Sequence, residues 1–143
     1  MGKAAAIFQR ALGFVFLAFG LNGFVHFIPQ MKMPNPALEF FVGLAASGFV
    51  LPLLFTTQAL AGALLIVGLY VPLALALLAP IVVNIFLFHL FLAPAGLPVA
   101  IIVVALEIFL VWSYRDSFAP MLRARVSPAQ SEAASPAHRT VTA

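Results

Sequence analysis

Four long apolar stretches constrain this chain more than any other feature. They cover about residues 7–28, 48–70, 72–92 and 97–114. A helix rises about 1.5 Å per residue, so some 20 residues cross a bilayer core of roughly 30 Å. The chain has 143 residues, of which 64% are hydrophobic and 8% charged. A soluble domain of that size cannot enclose so much apolar surface, because much of any small domain stays exposed. The sequence therefore predicts an all-α fold, an integral membrane four-helix bundle occupying residues 1–126. The first stretch is too long for a cleaved signal and no small-x-small site follows it, so an uncleaved helix is expected.

The connections are marked by proline. Pro29 ends the first span, and QMKMPNP at 30–36 is a polar link. ALEFFVGLAAS at 37–47 is too short to cross and carries Glu39. It reads as a short interfacial helix between spans one and two. Pro52 and Pro72 suit helix starts. Pro80 falls inside span three, where it removes the bond to Ala76 and is expected to kink the helix. Ala59 and Ala63, with Gly62, form a small-residue face for close helix approach. SPAQSEAASPAHRTVTA at 127–143 has no apolar periodicity and reads as a disordered cytoplasmic tail.

Charge sets the orientation. Lys3, Arg10, Arg115, Arg123 and Arg125 gather toward the two ends of the bundle segment, and the first loop carries Lys32. The positive-inside rule places both termini in the cytoplasm, as four spans require. No basic face with interleaved aromatics exists, so no nucleic-acid partner is expected. With no cysteine in the chain, disulfides and thiol redox chemistry are excluded. The expected partners are the lipid bilayer and a membrane or membrane-associated protein.

Few polar residues enter the apolar stretches. They are Asn22 and His26 in span one, Gln58 in span two, Asn84 and His89 in span three, and Glu107 in span four. Asn22 and His26 are four apart and share a helical face with Ala11, Val15 and Ala18, which reads as a packing face. Asn84 and His89 are five apart, roughly 140° around the helix, so they diverge. Asn84 is expected to face the bundle, where it and the carbonyl freed by Pro80 need partners. A histidine near a membrane surface is more often an interfacial anchor than a ligand. Two imidazoles without a third ligand make no metal site. The three amides read as interhelical hydrogen-bond glue, with donation to a ligand carbonyl as the alternative.

Glu107 stands apart. A carboxylate at mid-bilayer is costly and by default marks function. It lies on one stripe with Ala100, Val103, Val111 and Tyr114, so it should point inward. Its structural reading is a neutral acid bonded across the bundle, with Gln58 as partner. Arg10 is the candidate ion-pair partner, about four residues nearer the cytoplasm, or roughly 6 Å. Arg10 can also snorkel to water. The neutral form is expected.

RALGFVFLAFGLNGFVHFIP at 10–29, the TQALAG stretch, Pro80-x-x-x-Asn84-x-x-x-x-His89 and the closing YRDSFAPML together resemble the DoxX-like family of small four-helix bacterial membrane proteins. The resemblance covers about residues 7–123. Many relatives carry an acid where this chain has Gln58 or a neighbour. The resemblance implies a bacterial inner-membrane protein linked to quinone or oxidative-stress assemblies. It supplies no agreed active-site residues.

Three functions fit these features. The first is a non-catalytic subunit or scaffold of a redox-linked membrane assembly. The second is a quinone- or lipid-binding oxidoreductase component, with quinone as the one cofactor to consider and no metal. The third is a small-molecule or proton transporter built on Pro80 and Glu107. They rank in that order.

Overall fold

The computed structural model describes residues 2–29 and 32–125. The residues of the expected tail lie outside this set. Among the described residues every regular element is helical. The order is α1 (Lys3–Val25), α2 (Asn35–Ala46), α3 (Val50–Val67), α4 (Val71–Phe91), a 3-10 turn (Pro94–Gly96), α5 (Leu97–Ser113) and the short α6 (Arg115–Phe118). Four of these runs are long and apolar enough to cross a membrane, counting the 3-10 turn with α5.

Local chemistry sets the ends. α1 begins at Lys3 and stops at Val25, because His26 adopts the left-handed conformation with φ 54°. The Ile28 amide donates to Asn22 Oδ1 at 2.6 Å, closing that end. Ser47 turns the chain from α2 into α3: its hydroxyl donates to Leu44 O at 2.6 Å and accepts from the Val50 amide at 3.1 Å. α3 stops before Gly68, whose φ of 76° and 2.9 Å bond to Leu64 O form a glycine C-cap. That glycine is why the helix ends short of the Tyr70 limit read from hydropathy. α4 continues through Pro80 despite the lost amide.

The four long helices form a ring of neighbours, with α1 against α3, α3 against α4, α4 against α5 and α5 back against α1. α3 and α5 therefore stand at opposite corners. Leu12, Phe16, Leu65, Leu75, Leu78 and Leu110 fill the centre and are fully buried. α1 and α3 meet backbone to backbone. A methyl on Gly62 would lie 2.5 Å from the Leu17 nitrogen, and one on Gly20 would lie 2.5 Å from the Ala59 nitrogen. Only glycine permits that approach, so the inward face of α1 is Ala5, Gln9, Leu12, Gly13, Phe16 and Gly20. This corrects the expected packing face, since Ala11 and Val15 are exposed. Alanine methyls hold helices further apart than glycines do, and the glycine face wins.

α2 sits over the far end of α4, where Phe40 and Phe41 pack on Phe88 at 5.8 and 5.3 Å between ring centroids. The exterior of the bundle is as apolar as its interior. Phe14, Leu53, Val83, Val99, Ile108 and Trp112 are all more than half exposed. A helix that is apolar all round suits the core of a large protein or a lipid surrounding.

Candidate functional site

Glu107 is 5% exposed on the inward stripe of α5, beside Ala100, Val103 and Leu110. The expectation that it points inward is met. Its expected partners are not. Both carboxyl oxygens are buried and have no hydrogen-bond partner among the described residues. Gln58 is buried too, but on α3 at the opposite corner of the ring. Arg10 is exposed and makes no ion pair among the described residues. It lies one residue, about 100° of helix, from Gln9, and Gln9 takes the inward position.

A cleft opens beside Glu107. Ala79, Val82 and Val83 of α4 form one wall, and Val104, Ile108 and Val111 of α5 form the other. Its volume is about 380 Å³, within the roughly 300–1,000 Å³ common for small-molecule sites. Trp112 and Arg115 stand at one end, the guanidinium 5.3 Å from the indole centroid. Arg115 is eight positions beyond Glu107, at the start of α6 past the end of α5. The accessible wall of the slot is apolar: both Glu107 oxygens lie closed off behind it, and the Arg115 guanidinium at its end is engaged by Trp112 O at 3.3 Å and Asp116 Oδ1 at 3.8 Å.

A second cleft of about 300 Å³ lies between α3 and α4, lined by Leu53, Thr57, Leu77 and Pro80 among others. Its one hydroxyl, on Thr57, donates to Leu53 O at 2.9 Å within its own helix. It presents no unsatisfied side chain.

The remaining polar residues do not join Glu107. Asn22 is half-buried and serves the end of α1, so its amide bonds its own chain locally and does not bridge helices. His26 is the cap residue, so it leaves the face it was expected to share with Asn22. His89 donates from Nδ1 to Ala93 O at 3.0 Å, since a carbonyl can only accept, and its ring packs against Gly96. It holds the turn into α5. Asn84 is exposed, against the expectation that it faces the bundle. The inward side of α4 belongs to Val71, Ala74, Leu75, Leu78 and Val82. Asn84 lies two residues beyond Val82, about 200° round. Among the described residues no three His, Cys, Asp or Glu side chains gather to hold a metal.

A polar network does exist, around a residue outside the set expected from the sequence. Gln9 is 3% exposed. Its Nε2 donates to Leu65 O at 2.7 Å, and its Oε1 accepts from the Tyr114 hydroxyl at 2.6 Å. Leu65 lies in the last turn of α3, where carbonyls lack helical partners. The signal was present in the spacing, because Gln9 shares a helical stripe with Gly13, Phe16 and Gly20.

Comparison with protein-family models, curated proteins and solved structures found no match.

Proposed function

We propose that this chain is a DoxX-like integral membrane protein of the bacterial inner membrane, both termini cytoplasmic, with α2 lying in the outer interface. Its role is that of a non-catalytic subunit that holds a lipid-soluble ligand, a quinone or a lipid, for a redox-linked membrane assembly. The exterior supports the membrane reading, because an all-round apolar bundle surface has no use in water. The orientation is supported by Lys3, Arg10, Arg115, Arg123 and Arg125, which belong to the end of the bundle where α1 starts and α5 stops.

One observation carries the ligand reading: a buried carboxyl with both oxygens unpartnered among the described residues lines a cleft between two apolar helices. Buried polar groups are nearly always hydrogen-bonded, and one left unpaired costs about 1–3 kcal/mol. A purely structural scaffold gains nothing from that cost. In neutral form the acid offers one O–H donor and one carbonyl acceptor. That pair suits the carbonyl of a quinone or the hydroxyl of a quinol, while the valine and isoleucine walls suit its apolar part. Val83 and Ile108 beside the slot are exposed on the bundle exterior, so a ligand dissolved in the bilayer would reach it without crossing water, and side chains of the wall must part for it to meet the enclosed carboxyl.

The test is purification from native membranes in mild detergent, with mass spectrometry of co-purifying lipids and proteins. A quinone or other polar-headed lipid should stay with the parent chain and be lost from Glu107→Leu. Equal retention by both chains would remove the ligand reading. A stoichiometric protein partner supports the subunit role, and its absence with ligand retained would leave a stand-alone binding protein.

A further inference from the structure

The outward side of α4 carries a pattern of its own. Leu73, Leu77, Pro80, Asn84, Leu87 and Phe91 follow at alternating steps of four and three residues. All six are exposed, with Phe91 at 73% and Leu73 at 51%. They form one continuous stripe opposite the buried side of the helix. Alternating steps of four and three are the spacing of a heptad seam, by which parallel helices pack on each other.

Asn84 sits in the middle of this stripe and makes no side-chain hydrogen bond among the described residues. An amide turned toward hydrocarbon is costly until it is paired. A primary amide carries donors and an acceptor, so it is its own complement. A single asparagine at a core heptad position is a known device for fixing register and oligomeric state. Every copy of a membrane protein inserts in the same orientation, so two copies meet with α4 parallel to α4. A two-fold axis along the membrane normal then places each stripe residue against its own copy. The outward positions of α3, such as Leu53, Leu60 and Val67, are exposed but offer no amide. α4 is therefore the helix whose exposed face specifies a partner.

We propose that α4 is the seam of a homodimer, in which a second copy of this chain packs its Leu73-to-Phe91 stripe on this one and the two Asn84 amides hydrogen-bond to each other. The proposal rests on the membrane reading above but not on the ligand reading. The Glu107 cleft lies on the α5 side of the stripe, and only its Val83 borders the seam.

The chain has no cysteine, so single-cysteine variants report cleanly. Leu77→Cys and Leu87→Cys place thiols on the stripe, and Leu60→Cys on α3 is the exposed control. Oxidation in native membranes should yield dimers from both stripe variants and monomer from the control. Energy transfer between labelled cysteine-free chains in bilayers gives the affinity. Asn84→Leu should weaken it about 3- to 30-fold. Membrane-bound protein that fails to cross-link at the stripe, or cross-links as well at Leu60, overturns the dimer. An unchanged affinity in Asn84→Leu overturns the amide pairing. Recovery of the chain in the soluble fraction would overturn the membrane reading and the dimer together.

Discussion

Tyr114 donates its hydroxyl to Gln9 at 2.6 Å, joining residues 105 apart in the chain. Gln9 in turn bonds Leu65 O, so one side-chain amide ties α5, α1 and α3 at the end where the chain enters and leaves the bundle. Gln9→Leu strands the Leu65 carbonyl and should lower stability by about 1–3 kcal/mol. Tyr114→Phe removes one donor and should cost less, about 1 kcal/mol. The double variant should lose less than the sum, because the two residues share one bond. Thermal melts of the four proteins in one detergent give the coupling. Strict additivity would show that the two residues act independently.

Gly20 and Gly62 allow α1 and α3 to touch. Gly62→Ala places a methyl 2.5 Å from the Leu17 nitrogen and 2.7 Å from Gly13 O, both backbone atoms. Backbone cannot swing aside as a side chain can, so the helices must separate. Overpacking of this kind costs about 1–3 kcal/mol. Gly43, inside α2 with open space around its Cβ position, is the control, and Gly43→Ala should melt with the parent or above it, since alanine favours a helix interior. Equal melting of Gly62→Ala and the parent would show that the interface yields freely.

His26 is exposed and holds φ 54°, a conformation that suits glycine. A left-handed non-glycine residue costs about 1–2 kcal/mol. His26→Gly should therefore keep or raise the melting temperature, and His26→Ala should leave it equal or lower. A large loss in His26→Gly would assign the imidazole a contact of its own. The same exposure, with His89 committed to Ala93 O, leads us to expect no stoichiometric zinc, copper or iron in purified protein. Metal analysis checks this.

The sequence made the helices legible and the helix ends less so. Hydropathy finds apolar runs, and it found four, but it does not register that Gly68 and His26 turn left-handed. Hence α3 stops at Val67 and α1 at Val25. Glu107 was placed inward by its stripe, because α5 has a clear period from Ala100 through Val103 to Leu110. Partners were harder. Which helices share a corner is a property of packing, so nothing in the chain showed that Gln58 and Glu107 sit on opposite corners. Polarity alone does not separate Gln9 from its neighbour Arg10; the glycine stripe of α1 determines that Gln9 is the one turned inward. The rule that polar groups avoid lipid puts Asn84 in the interior, but five apolar residues fill the core-facing side of α4 and leave Asn84 outside.

Glu107 gives the sharpest test, because stability and binding should move apart. The acid has no partner among the described residues, so Glu107→Leu removes no hydrogen bond from the protein. Replacing an unpaired buried polar group with an apolar one is neutral or stabilising. The Leu variant, measured free of added ligand, should melt within about 1 kcal/mol of the parent or above it. Ligand retention should fall by about 10- to 100-fold, since the ligand's polar group would then be left unpaired in the slot. Glu107→Gln keeps a donor and an acceptor, so it should retain part of the binding while losing any step that moves a proton. A lipid-soluble carbodiimide offers a check independent of the ligand. It adds to protonated carboxyl groups in apolar surroundings, and it should label the parent once, on the peptide containing Glu107, and leave Glu107→Gln unlabelled. A clear drop in the melting temperature of Glu107→Leu would mean that the carboxyl bonds within the protein, and the acid would then be a structural group and not a binding one.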